Sequence, residues 1–187
     1  MKNFKFLTIA FLSLFLTTAC SSDDDNSSIP TPINEEEIIT TVTVTLTPEG
    51  GGTEIILQKQ DLDGDGPNAP TVDVSGDLVA GTTYNAVIEL LNETENPAEN
   101  ITEEVEEESD EHQFFYTIGG DLDVTTTYTS FDSNGNPLGT EFTLEAGAAS
   151  NGTLTFTLRH EPTKPNTGLS DAGGETDIEA TFSVSIQ

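Results

Sequence analysis

The sequence holds one cysteine, no tryptophan, and only five lysines and arginines against 34 aspartates and glutamates. Each scarcity closes off a class of function. A lone Cys excludes any disulfide within the chain. With no Trp and three Tyr, few aromatic platforms remain on which a sugar could stack. A formal net charge of −29 keeps the chain away from nucleic acid and from anionic membrane surfaces. After the first twenty residues no apolar run approaches the length of a membrane span. Nucleophile-elbow serines and phosphate-cradling Gly loops with a Lys are missing as well. Acid pairs are too abundant for their spacing to mark a catalytic dyad, so a non-enzyme is expected.

At the start of the chain, Lys2 and Lys5 precede an apolar stretch from Phe6 to Leu16 that is too short to span a bilayer. The segment ends Leu16-Thr17-Thr18-Ala19-Cys20. This resembles a lipoprotein signal peptide, in which small residues precede a Cys that carries the lipid, palmitate included, after cleavage. Thr17 stands where an aliphatic residue is usual. Ser21-Ser22-Asp23-Asp24-Asp25 is similar to the Ser/Asp-rich export signal of lipoproteins displayed at the cell surface. The expected organisation is a signal peptide over 1–19, a lipidated Cys20 with a flexible acidic tether over 20–36, and one domain over 37–187. The expected location is the outer membrane, lipid-anchored and exposed at the cell surface.

The rest of the chain alternates with period two, the pattern of half-buried strands. Val42, Val44 and Leu46 fall on one side of Thr41–Thr47, and Tyr84, Ala86, Ile88 and Leu90 share another face. Leu154, Phe156 and Leu158 do the same, as do Ile178, Ala180, Phe182, Val184 and Ile186. Phe114–Ile118, Leu122–Phe131 and Leu138–Ala146 read as further strands. Asn134-Gly135 and Asn151-Gly152 supply the positive φ that hairpin turns need. Eight or nine short antiparallel strands predict an all-β, immunoglobulin-like β-sandwich. At most one short helix is expected near 100–110, capped by Asn100 and burying Ile101 and Val105.

That helix lies in the most charged stretch of the chain. Ten acids fall between Glu93 and Glu111 with no Lys or Arg among them, which raises the question of what cation they serve. Parity places His112 with Phe114, Tyr116 and Ile118, and His160 with Leu154, Phe156 and Leu158. One His begins its strand and the other ends its own, so antiparallel pairing brings both imidazoles to one rim. Glu108 and Glu111, on the preceding helix, and Glu161, next to His160, are the carboxylates nearest in sequence. Two imidazoles with one or two carboxylates suit Zn²⁺ or Cu²⁺. The alternative is two ordinary strand-end histidines beside a solubilising acidic face.

A second candidate is Asp61-Leu62-Asp63-Gly64-Asp65-Gly66. Three aspartates at alternate positions match the first half of a Ca²⁺ loop, but Val72 stands where the bidentate Glu belongs. A polar turn closed by its own Asp side chains is the competing reading.

The segments Glu-Leu-Leu-Asn-Glu (89–93), Glu-Glu-Val-Glu-Glu-Glu (103–108), Glu-His-Gln-Phe-Phe (111–115), Leu-Arg-His-Glu-Pro (158–162) and Gly-Gly-Glu-Thr-Asp-Ile (173–178) resemble a family of small acidic bacterial lipoproteins. Its members often carry the label "type 1 periplasmic binding fold superfamily protein". That label names a two-lobed α/β fold, whereas the strand alternation here calls for an all-β domain. The resemblance implies metal handling in association with a TonB-dependent outer-membrane receptor. The alternative expectation is a non-catalytic structural or interaction module that binds a protein or a surface by charge.

Overall fold

A computed structural model describes residues 37–64 and 66–187. Cys20, the expected signal peptide and tether, and Asp65 lie outside the described residues. In chain order the elements are β1 (Thr41–Pro48), β2 (Ile55–Gln60), β3 (Thr71–Val74), β4 (Thr83–Asn92), β5 (Glu99–Asn100), α1 (Ile101–Glu107), β6 (His112–Gly120), β7 (Val124–Tyr128), β8 (Glu141–Ala146), β9 (Ser150–His160), α2 (Leu169–Ala172) and β10 (Glu175–Ile186). The larger sheet runs β3-β2-β1-β4-β8-β7, with β5 paired to β4, and the smaller runs β10-β9-β6. All strand pairings in both sheets are antiparallel.

This is the connectivity of an immunoglobulin-like sandwich. The order β1-β4-β8-β7 corresponds to strands A, B, E and D of that fold, and β6-β9-β10 to C, F and G. β2 and β3 extend the first sheet beyond its A strand. The inward faces meet in one core, where Leu46, Ile88, Phe142, Leu154, Phe156 and Phe182 are all buried. Alternation explains most of it: in β4, Tyr84, Ala86, Ile88 and Leu90 are buried while Val87 and Glu89 are exposed.

α1 forms despite four glutamates in seven residues, because its start is capped and one side is buried. The Asn100 side chain accepts from the Thr102 amide, and Ile101 and Val105 are buried. Thr102 Oγ1 also accepts from the Leu90 amide at 2.7 Å, which fastens the helix to β4.

Three features differ from the sequence reading. Ile118, expected inward, is 40 % exposed, near the end of a strand on the edge of the smaller sheet. The strand expected over Leu122–Phe131 shortens to β7. α2 is a second, one-turn helix in the segment between β9 and β10. That segment folds back over the outer side of the smaller sheet, where Asn166 donates to Gln113 Oε1 at 2.8 Å. It buries Gln113, whose parity faces away from the core.

Lys164 pins the same segment. Its Nζ donates to Ser109 O, His112 O and Asp132 Oδ2 at 2.7, 2.5 and 3.3 Å. The Lys164 and Asp132 side chains are 5 % and 1 % exposed. Burial pushes the Asp132 carboxyl up, but hydrogen bonds from Asn136 and Lys164 and the Lys164 charge outweigh it, so its pKa is lowered. Burial pushes the Lys164 ammonium down, against the pull of Asp132 and Asp110. Lys164→Met leaves Asp132 buried without its cation and is expected to cost about 3 kcal/mol in urea unfolding. Asp132 has a depressed folded pKa, so its stabilising contribution is present above its unfolded value of about 4. That contribution is lost as pH falls through the lower folded value, and the acid limb of the variant's stability profile should be shallower.

Candidate metal centre

The two histidines are direct register partners: His112 on β6 lies opposite His160 on β9. Their ring centroids are 4.5 Å apart with planes inclined at 35°. Both point inward, at 0 % and 3 % side-chain exposure. The carboxylates that meet them are Glu37, just ahead of β1, and Asp177 on β10, at 4 % and 1 % exposure. His112 Nε2 stands 3.0 Å from Glu37 Oε1 and 4.0 Å from Asp177 Oδ2. His160 Nδ1 stands 3.7 Å from Glu37 Oε2 and 3.7 Å from Asp177 Oδ1. One ligand atom from each of the four residues lies within 4.8 Å of the other three. A tetrahedral Zn²⁺ with bonds near 2.0–2.1 Å sets its donors roughly 3.3 Å apart, so small side-chain adjustments close the set around one ion.

The hydrogen bonding orients the donors. His112 Nδ1 is 3.2 Å from the Glu108 carbonyl at the end of α1. A neutral ring with its proton on Nδ1 donates there and turns the Nε2 lone pair toward Glu37, the arrangement of a metal-ligating His with its supporting carbonyl, whereas an imidazolium donates from both nitrogens. In that tautomer two acceptors confront one another at 3.0 Å, and a proton on Nε2 or a metal cation between them resolves the conflict. His160 Nε2 and Glu37 Oε2 are buried with no hydrogen-bond partner among the described residues. The described cations are engaged elsewhere: Lys59 with Glu179 O, Arg159 with Gly174 O, and Lys164 with Asp132.

The surrounding field is also negative. Glu104 on α1 has its pKa raised, first by burial and then by Glu37, Glu108 and Glu99, with His112 pulling the other way. Two carboxylates confined in a poorly solvated space cost several kcal/mol unless a positive charge offsets them.

Sequence proximity suggested other carboxylates. Glu108 takes part through its backbone carbonyl alone, and its side chain is exposed. Glu111 and Glu161 are exposed and joined to each other through the backbone, Glu161 N donating to Glu111 O at 2.7 Å. Neither carboxylate belongs to the four-residue group.

Asp177 escapes the period-two rule because the β9–β10 register skips it. Thr176 pairs with Arg159 and Ile178 with Leu158, leaving Asp177 at an irregularity. Such a bulge re-aims one side chain, here turning a residue of outward parity into the site. Gly174 makes room nearby, since at φ +70° a Cβ would stand 2.2 Å from His160 O. Glu37 escapes for a related reason. Parity counted back from Val42 selects Ile38, yet Ile38 is 61 % exposed while Glu37 and Ile39 turn inward. The run Glu35-Glu36-Glu37 beside the strand start was the only available hint.

Asp61 and Asp63, from the candidate Ca²⁺ loop, lie apart from the four donors but on the wall of a cavity of about 660 Å³ that Glu37 and Asp177 also line. Asp63 Oδ2 accepts from the Asn68 amide and side chain at 3.3 and 2.7 Å, closing its own turn. Val72 lies in β3 and is 48 % exposed.

Comparison with family models, with curated proteins and with solved structures finds no match. Glu37→Gln distinguishes the two charge states of His112 in urea titration of the metal-free domain. Beside a neutral His112 it removes a buried charge, supplies a donor and stabilises by about 2 kcal/mol, whereas beside an imidazolium it breaks a buried pair and destabilises.

Proposed function

We propose that the domain is a divalent-metal-binding module whose ligands are His112, His160, Glu37 and Asp177. The observation that carries this reading is the burial of two carboxylates and two imidazoles, none more than 4 % exposed, with donor atoms converging. Two nitrogens and two oxygens suit Zn²⁺, with Cu²⁺ as the stronger binder by intrinsic affinity. Ca²⁺ prefers six to eight oxygens and fits this set poorly. Four protein donors close a tetrahedral shell and leave no position for substrate, so the site fits holding a metal better than catalysis.

The setting follows from the N-terminal sequence, where Lys2, the Phe6–Leu16 run and Cys20 support a lipid-anchored protein of the outer membrane, displayed at the cell surface. The resemblance to acidic lipoproteins supports a role in supplying the metal to a TonB-dependent receptor. A second reading is an interaction module that binds a partner by charge, and it draws on the exposed Glu103, Glu106 and Glu107 of α1.

Calorimetry on the chelator-stripped domain separates the two. Zn²⁺ should bind with a stoichiometry of one, and binding should be lost in His112→Ala and in Asp177→Asn but kept in Glu161→Gln. At a free Zn²⁺ level a hundred times Kd, unfolding should be harder by about 2.7 kcal/mol. Diffuse binding that salt abolishes and that ignores His112→Ala would favour the charge-based module.

A further inference from the structure

The buried centre needs a path by which an ion reaches it, and the four donors are not equally placed for one. Glu37 and Asp177 line the 660 Å³ cavity, whereas neither imidazole does. Glu37 and Asp177 therefore lie between the cavity and the imidazoles, with side chains only 4 % and 1 % exposed. At about 30 Å³ per water, the space admits a dication with its complete hydration shell. Asp61 and Asp63 stand on the same wall. Among the described residues, Asp61 Oδ1 is buried with no hydrogen-bond partner, and so is Glu37 Oε2, on a side chain 4 % exposed. Ile38 and Leu62, 61 % and 54 % exposed, also line the cavity. Apolar walls around like charges focus the field into the opening. Lys59, the cation on this wall, is tied to Glu179 O at 2.7 Å.

We propose that this cavity is the loading route of the metal centre, with Asp61 as its capture residue. The proposal rests on the metal-binding reading above. A hydrated divalent cation is held first by Asp61, whose carboxylate accepts hydrogen bonds from the ion's shell waters. Asp63 adds charge, although its Oδ2 is committed to Asn68. Glu37 and Asp177 then replace waters in the inner shell, and the imidazoles complete the set. Hard oxygen donors thus meet the hydrated ion first, and nitrogen donors hold it once water has been shed. The Asp61–Asp63 turn in this account serves the transition-metal centre rather than a separate Ca²⁺ site.

The test is stopped-flow loading of Co²⁺, whose visible absorption reports imidazole coordination, into the chelator-stripped domain at low ionic strength. Asp61→Asn should load about tenfold more slowly than the unaltered chain and reach the same final spectrum, and the gap should narrow as salt is raised. Asp61→Glu should recover most of the rate. Asp121→Asn, which removes the same charge beyond the far end of β6, should load at the unaltered rate. Equal rates for Asp61→Asn and the unaltered chain overturn the route while leaving the metal centre intact. Equal slowing in Asp121→Asn overturns it too, because bulk charge then accounts for the effect. A changed final spectrum in Asp61→Asn makes Asp61 a ligand and not a capture residue. An unaltered chain with no Co²⁺ spectrum overturns both the route and the metal-binding reading.

Discussion

Four buried polar side chains converge at one end of the sandwich, and the charge among them is what the local structure must accommodate. Two imidazoles paired across β6 and β9 meet two carboxylates at 3.0 to 4.0 Å. In water such a group would be unremarkable. Here each carboxylate has lost most of its hydration, and the negative C-terminal end of α1 adds to the field through Glu108 O. A cation converts that cost into cohesion.

The donors also come from different layers. His112, His160 and Asp177 belong to the smaller sheet, whereas Glu37 precedes the first strand of the larger one. An ion bound by all four ties the segment entering the domain to the opposite sheet. Lys164 works beside it in a structural capacity, holding the His112 carbonyl together with Ser109 and Asp132. One end of the domain therefore carries two charge-based clusters, one complete in protein groups and one able to hold a metal ion.

Much of this was legible in the sequence where a simple period governed it. Val42, Val44, Leu46 and the β4 series fell inward because strand residues alternate, and Asn100 capped α1 because its side chain can take an amide there. The meeting of His112 and His160 followed from parity and antiparallel pairing alone. The carboxylates were hidden because both obey exceptions. Asp177 is turned by a register irregularity, and Glu37 sits where the alternation around Thr40–Val42 gives way to continuous burial. Neighbours in sequence, Glu108, Glu111 and Glu161, were attractive but point to solvent. Residues outside the period-two pattern supplied half of the site, as expected where function bends a local rule.

X-ray absorption at the zinc edge, on the domain loaded with one equivalent, addresses the central claim most directly. The account predicts a first shell of nitrogen and oxygen near 2.0 Å, without sulfur, and outer-shell scattering from two imidazoles. His160→Ala should lose the site and with it the imidazole scattering. A spectrum of oxygen donors alone, with no imidazole scattering, would place the ion on surface carboxylates and contradict the buried four-residue centre.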